Sequence, residues 1–187
     1  MQHKGTQQIE TARLLLRPFL KEDAEDMFRN WAQDPEVTRF LTWPPHESPE
    51  VTRALLALWA KEAAENPSCY QWAVELKELG RVIGSLSVVH ADGETESVEL
   101  GYCIGKAWWG RGLMTEAVRA VCAYLFEEVG VRRVTARHDV ENPASGAVMR
   151  KAGMTKEGVL RQSGRNNRGI VDMAVWSILR DEWKPGL

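Results

Sequence analysis

The sequence predicts an α/β (α+β) fold: a mixed, mostly antiparallel sheet of six to seven strands packed with about four helices. Three observations predict it. From residue 70 the apolar spacing falls to a period near two, with turn residues between segments. Four other segments repeat their apolar residues at helical intervals. One strand-helix-strand unit has the length of a crossover between parallel strands.

In chain order, TARLLLRPF (11 to 19) is a short apolar run closed by Pro18, which predicts a buried or edge strand. In KEDAEDMFRNWA (21 to 32) Ala24, Met27, Phe28 and Trp31 share one helical face behind an acidic first turn, and Asp34-Pro35 stops that helix. Ser48 as N-cap and Pro49 at the first position open a second helix, with Val51, Leu55, Leu58 and Trp59 lining one side. YQWAVEL, VIGSLSVVH and ESVELGYCI, separated by the turns KELGR and ADGE, predict an antiparallel meander. Leu113, Ala117, Val121, Tyr124 and Leu125 predict a helix through Glu128 that ends at Gly130. VRRVTARHDV then predicts a strand parallel to 97–104. Asn142 and Pro143 cap a shorter helix through Ala152, and MTKEGVLRQS and IVDMAVWSILRDEW form a closing hairpin around GRNNRG.

Length and composition fit one domain, 1–187, with an ordinary 44% hydrophobic and 27% charged content. A formal net charge of -2 favours neither nucleic acid nor an anionic membrane as partner. Cys69, Cys103 and Cys122 are odd in number and form no C-x-x-C pair, so neither a disulfide framework nor a metal site is expected, and a reducing cytoplasm suits them. No apolar run approaches the roughly 20 residues of a membrane span, and MQHKGTQQIE lacks the apolar core of a signal peptide.

The chemistry centres on WWGRGLMTEAV (108 to 118), where two glycines bracket an arginine at a helix entrance. Gly105 and Gly110 have P-loop spacing, yet Arg111 and Gly112 stand where the lysine and the magnesium-binding hydroxyl must be. Gly110 and Gly112 could open a dinucleotide fingerprint, but Thr115 replaces its third glycine. A strand leading into a helix whose first amides, around Arg111 to Met114, converge on one spot fits better, as a nest for a pyrophosphate. The alternative is a turn that lets Trp108 and Trp109 tuck under the sheet.

The run VELGYCIGKAWWGRGLMTEAV, followed by ENPASGAVMRKAGMTKEGVLRQ, resembles the GNAT superfamily of acetyl-CoA-dependent N-acetyltransferases, and within it the Rim-type branch of ribosomal-protein N-terminal acetyltransferases. The resemblance spans nearly the whole chain. It implies a sheet splayed between the two central parallel strands, with the pantetheine arm of acetyl-CoA in the opening. The family's phosphate loop, Q/R-x-x-G-x-G/A, falls on Trp109, Gly110, Arg111, Gly112, Leu113 and Met114, matching only at Gly112, which matters little if the loop works through backbone amides. The resemblance further implies that the backbone of Cys103 and Ile104 pairs with the arm, that Asn142 bonds it, and that Ser145 sits near the thioester sulfur. Many GNAT enzymes carry a tyrosine acid where this chain has Met149, which leaves Ser145 to meet the departing thiolate; Asn142 and Ser145 read equally as a helix cap and a first-turn residue. For the base, Glu99 matches a glutamate frequent in this branch, and His138 stands at the neighbouring strand end, where structural histidines are also common. A glutamate that serves relatives as base aligns near Gly164 and is absent here.

The expected activity is acetyl transfer from acetyl-CoA to an amine by direct attack, with a peptide N-terminus as the leading acceptor. An α-amine titrates near pH 8, against about 10.4 for lysine, so it needs less help from a base. The acidic run Asp92, Glu94, Glu96 and Glu99 is either an attraction for a cationic amine or a solvated turn. A small-molecule acceptor, a catalytically silent acyl-CoA sensor and a homodimer all stay open.

Overall fold

The computed structural model describes residues 1–184. β1 (Ile9–Glu10) and β2 (Leu14–Pro18) pair as a hairpin, and α1 (Asp23–Met27) runs on as a π-helical turn over Phe28–Ala32. A single turn, α2 (Pro35–Thr38), precedes the long α3 (Pro49–Glu65). β3 (Gln71–Leu76), β4 (Arg81–Asp92) and β5 (Ser97–Ile104) form the antiparallel meander. α4 (Leu113–Tyr124) continues as a second π-helical turn to Val129, and Gly130 closes it at φ 85°. β6 (Arg133–Asp139), α5 (Pro143–Lys151) and the hairpin of β7 (Thr155–Asn166) and β8 (Gly169–Leu179) complete the domain.

The result is an α+β fold with one eight-stranded mixed sheet in the order β1-β2-β3-β4-β5-β6-β8-β7. The strand beyond the expected seven is β1, whose two residues are too few to show a period. α2 is a further addition to the expected elements. Asp34 does stop the first helix, but its carboxylate accepts the Glu36 amide at 2.8 Å and Pro35 follows as a first helical residue, so the stop is also a start.

Helices cover both faces. α4 and α5 pack over Leu14, Leu16, Leu100, Val134 and Ala136, while α1 and α3 enclose Trp31, Leu56, Ala73 and Val82. Among the described residues no helix is long and apolar enough to cross a membrane. On α3 the buried residues are Thr52 and Leu56, with Leu55 and Trp59 half-buried, whereas Val51 and Leu58 are 46% and 51% exposed. The expected face is therefore rotated by about one residue. The Thr52 hydroxyl meets His46 Nδ1 at 2.7 Å, which satisfies a polar residue that apolar spacing places outside.

The feature that positions the site lies between β5 and β6. These parallel strands pair from Ser97 with Arg133 through Leu100 with Ala136 and then part. β4 holds β5 along its whole length and β8 holds β6 from Arg133 to Asp139, so each strand follows its antiparallel partner and a V opens between them.

A half-buried ion cluster ties the first strand to the first helix. Arg17 donates to both Asp23 oxygens at 2.8 and 2.9 Å and to Glu75 at 2.7 Å, and Asp23 is only 6% exposed. Replacing Arg17 with Met leaves two carboxylates without their cation, which is expected to destabilise the fold by about 3 kcal/mol, seen as a lower urea midpoint with an unchanged slope.

Candidate active site

Main-chain direction decides what faces the V. Gly105 donates to Ile83 O at 2.9 Å and Cys103 lies opposite Ser85, so alternate residues of β5 turn their amides toward β4. Tyr102 and Ile104 turn toward the opening. The expected pair was Cys103 and Ile104; Cys103 is instead committed to β4, and the Ile104 carbonyl accepts the Trp109 indole N–H at 2.8 Å.

At the end of β5 stands the glycine loop. Gly110 and Gly112 are both left-handed, at φ 73° and 74°, a conformation that any other residue adopts only with strain. A Cβ on Gly110 would meet nothing within 4 Å, so the loop faces open space. Gly112 is the N-cap of α4 without a side-chain cap, and the amides from Gly110 to Met114 have no acceptor among the described residues. Unpaired amides gathered at the positive end of a helix favour an anion.

Across the V, Asn142 caps α5 by accepting the Ser145 amide at 3.3 Å. The Ser145 hydroxyl lies 3.1 Å from the Tyr102 hydroxyl, which also meets the Ser145 carbonyl at 3.0 Å. Burial pushes the Tyr102 phenol well above its ordinary range, so it stays protonated and can donate. Sequence reasoning missed this tyrosine. The alternation of Val98, Leu100 and Tyr102 on one face of β5 was the available signal, but nothing local says that α5 lies above that face. Met149, where relatives carry an acid, is a core residue at 1% exposure.

His138 is on the same face of β6. Its Nδ1 is 2.8 Å from the Asp139 carbonyl, and its Nε2 packs so closely on α5 that a Cβ added at Gly146 would fall 2.6 Å from it. Glu99 occupies the opposite face of the sheet and is ion-paired with Arg137 at 3.0 Å. The structure thus groups Ser145, Tyr102 and His138 and sets Glu99 apart. Of the other acids of the run, Asp92 accepts the Glu94 amide at 2.9 Å and Glu96 accepts the Met1 ammonium at 2.6 Å.

Neither cysteine near the sheet is a ready nucleophile, because burial pushes the Cys103 thiol up to about 11 and the Cys122 thiol up to about 12. No group of three or more His, Cys, Asp or Glu among the described residues is placed to hold a metal ion. On the Glu99 face, Asp139 accepts from Asn166 at 2.8 Å and Arg168 at 2.9 Å, and Asn167 donates to the carbonyls of Thr38 and Trp43 at 2.9 and 2.7 Å. The Asn167 bonds dock the β7–β8 turn on the end of α2 and the loop before α3.

A splayed parallel pair beside a helix entrance offers free main-chain groups to an extended ligand and unpaired amides to an anion. Residues 13–155 match the family model described as an acetyltransferase (GNAT) domain. The chain belongs to the GNAT family. It is 31% identical over 172 residues, 92% of this chain and 96% of the relative, to the uncharacterized N-acetyltransferase YoaA of Bacillus subtilis. It is 30% identical over 110 residues, 59% of this chain and 56% of the relative, to the ribosomal protein uS5 alanine N-acetyltransferase of Escherichia coli. The solved structure of a GCN5-related N-acetyltransferase from Brucella melitensis superposes with a TM-score of 0.78 at 25% identity, covering 95% of this chain and 80% of that one. As a GNAT enzyme the protein is an N-acetyltransferase that takes its acetyl group from acetyl-CoA.

Coenzyme A at about 100 times its dissociation constant adds roughly 2.7 kcal/mol, an expected rise in Tm of roughly 5 to 10 °C. Gly112→Glu brings a side chain and a negative charge to the loop and is expected to abolish that rise; a normal rise would place the phosphates elsewhere. A second expectation concerns acid. Burial alone would raise the Asp139 carboxyl, but donation from the Glu141 amide, Asn166 and Arg168 outweighs it and holds the group below its ordinary 3.8. A lowered carboxyl stabilises the fold above its unfolded value and loses that effect as pH falls through the folded one. The stability advantage of the wild type over Asp139→Asn should therefore be level above about pH 5 and shrink below about pH 4 in urea midpoints.

Proposed function

We propose that the acceptor is a protein N-terminal α-amine of the ribosomal-protein class, acetylated by direct attack on acetyl-CoA. The observation that carries this is the state of the two candidate bases. Glu99 is paired with Arg137, and His138 has one ring nitrogen on a carbonyl and the other against Gly146. An acceptor that sheds its own proton suits such a site. At pH 7.5 about a quarter of an α-amine with pKa near 8 is neutral, against about one part in a thousand of a lysine side chain. The similarity to the uS5 alanine N-acetyltransferase supports the same class. The high thiol pKa values argue against an acyl-cysteine intermediate, and three free cysteines suit a cytoplasmic setting.

The amides of Gly110 to Met114 hold the diphosphate end of acetyl-CoA in this proposal, while the main chain of Tyr102, the Ile104 N–H and the Asn142 side-chain amide hold the pantetheine arm; Trp109 braces the loop through its indole bond to the Ile104 carbonyl. Acetyl-CoA supplies the activated acetyl thioester. Ser145 meets the sulfur as charge develops on it, while Glu99 or His138, through water, takes whatever proton the amine has not already lost. The Tyr102 proton can serve only one acceptor at a time. When it goes to Ser145 Oγ, the serine proton is free to point at the sulfur.

Free N-terminal peptides, small amines and N-blocked peptides, each incubated with acetyl-CoA, test the acceptor. Acetylation of the free peptides alone is expected; transfer confined to small amines overturns the peptide class, and no transfer to any of them leaves an acyl-CoA sensor. Ser145→Ala is expected to lower kcat about 10 to 100-fold with little change in acetyl-CoA affinity, because the contact strengthens in the transition state. Tyr102→Phe should lower kcat by a smaller factor, and the double variant should be no worse than Ser145→Ala alone. A loss of binding by Ser145→Ala would make that residue a positioning group for the donor.

A further inference from the structure

The glycine loop is connected to the start of β2, almost a hundred residues earlier in the chain. Glu116, in the first turn of α4, accepts from the Thr11 hydroxyl at 2.6 Å, the Arg13 amide at 2.9 Å and Arg13 Nε at 2.7 Å, and pairs with Arg13 Nη2 at 2.7 Å. The guanidinium then has one edge left, and Nη1 donates to the Arg111 carbonyl at 3.0 Å. Nη2 would lie 3.8 Å from a Cβ on Gly112, so the arginine runs along the outside of the loop.

The Arg111 carbonyl and the Gly112 N–H belong to one planar peptide unit and point in opposite directions. Glycines flank that unit's residue on both sides, and a glycine accepts φ of either sign, so nothing in the loop's own sequence prevents this peptide from turning over. A flipped unit would present a carbonyl where the anion needs an amide. We propose that Arg13, held in place by Glu116, is a positioning residue that pins the 111–112 peptide so that the Gly112 N–H faces the diphosphate of acetyl-CoA. The inference rests on the loop being the diphosphate site. Neither Arg13 nor Glu116 touches the donor; they set the direction of a dipole that does. Glu116 is suited to the part. Burial disfavours its charge, yet the donors from Thr11 and Arg13 keep its carboxyl below the usual range, so the anchor for Arg13 is ionised at neutral pH.

The test compares two donors, acetyl-CoA and acetyl-pantetheine, which lacks the diphosphate and nucleotide. Arg13→Met is expected to raise KM for acetyl-CoA about 10-fold at nearly constant kcat, the loss of one charge-assisted hydrogen bond, while leaving kcat/KM for acetyl-pantetheine unchanged. A general disturbance of the fold would lower both donors alike and overturn the inference. Arg13→Lys keeps the charge and a bond to Glu116 but lacks the fork needed to reach Arg111 O as well. It should keep the wild-type Tm and still show the raised KM for acetyl-CoA. A wild-type KM in Arg13→Lys would show that positive charge alone suffices and would also overturn it. Failure of the underlying assignment looks different, since Gly112→Glu would then bind coenzyme A normally.

Discussion

The parting of β5 from β6 after Leu100 and Ala136 is the constraint on which the rest of the site depends. In a continuous sheet, main-chain groups at Tyr102 and Ile104 would be spent on a neighbouring strand. Here β6 leaves with β8, and a strand edge is exposed inside the sheet instead of at its margin. Such groups are expensive to leave unmade, so the opening favours an extended ligand with amides of its own. The splay also brings the N-termini of two helices to its mouth. α4 starts just beyond the end of β5 and α5 just beyond the end of β6, so both positive helix ends flank one cleft.

The sheet divides the chemistry between its two sides. α5 brings Ser145 onto Tyr102 and covers His138, making one side a packed, hydrogen-bonded wall. The other side carries charged pairs, Glu99 with Arg137 and Asp139 with Arg168, below the docked β7–β8 turn. The proposed function puts the pantetheine arm in the first environment and a polar or cationic acceptor in the second. Under the proposed function, Glu99 as base would give up part of its ion pair with Arg137 to work, and an amine of low pKa would ask less of it than a lysine side chain.

Several elements are legible in the residue order alone. The period-two segments after residue 70 are β3, β4 and β5, and the capping residues Asn142 and Gly130 mark real helix ends. Others are not. Val51 and Leu58 were expected inside and are exposed, because α3 turns Leu55, Leu56 and Trp59 inward and the Thr52 hydroxyl shares a hydrogen bond with the loop histidine His46. Cys103 was expected at the opening one residue from where the exposed main chain lies, because amide direction depends on the register with β4, and a register is a property of two strands. Tyr102 has the spacing of a core aromatic and lies under a serine from a helix over forty residues away.

By itself the sequence determined the local order of strands and helices, the two glycines that can hold left-handed backbone, and the motif by which this GNAT chain resembles its relatives. These are properties of spacing and of single residues, set by sterics within a few bonds. Only the tertiary structure decided which side chains meet: Ser145 with Tyr102, Glu99 with Arg137 on the opposite face, and Arg13 with the carbonyl of Arg111. Those contacts join residues 38 to 98 positions apart. They are fixed by strand register and by which helix covers which face, and neither quantity is encoded in any one segment.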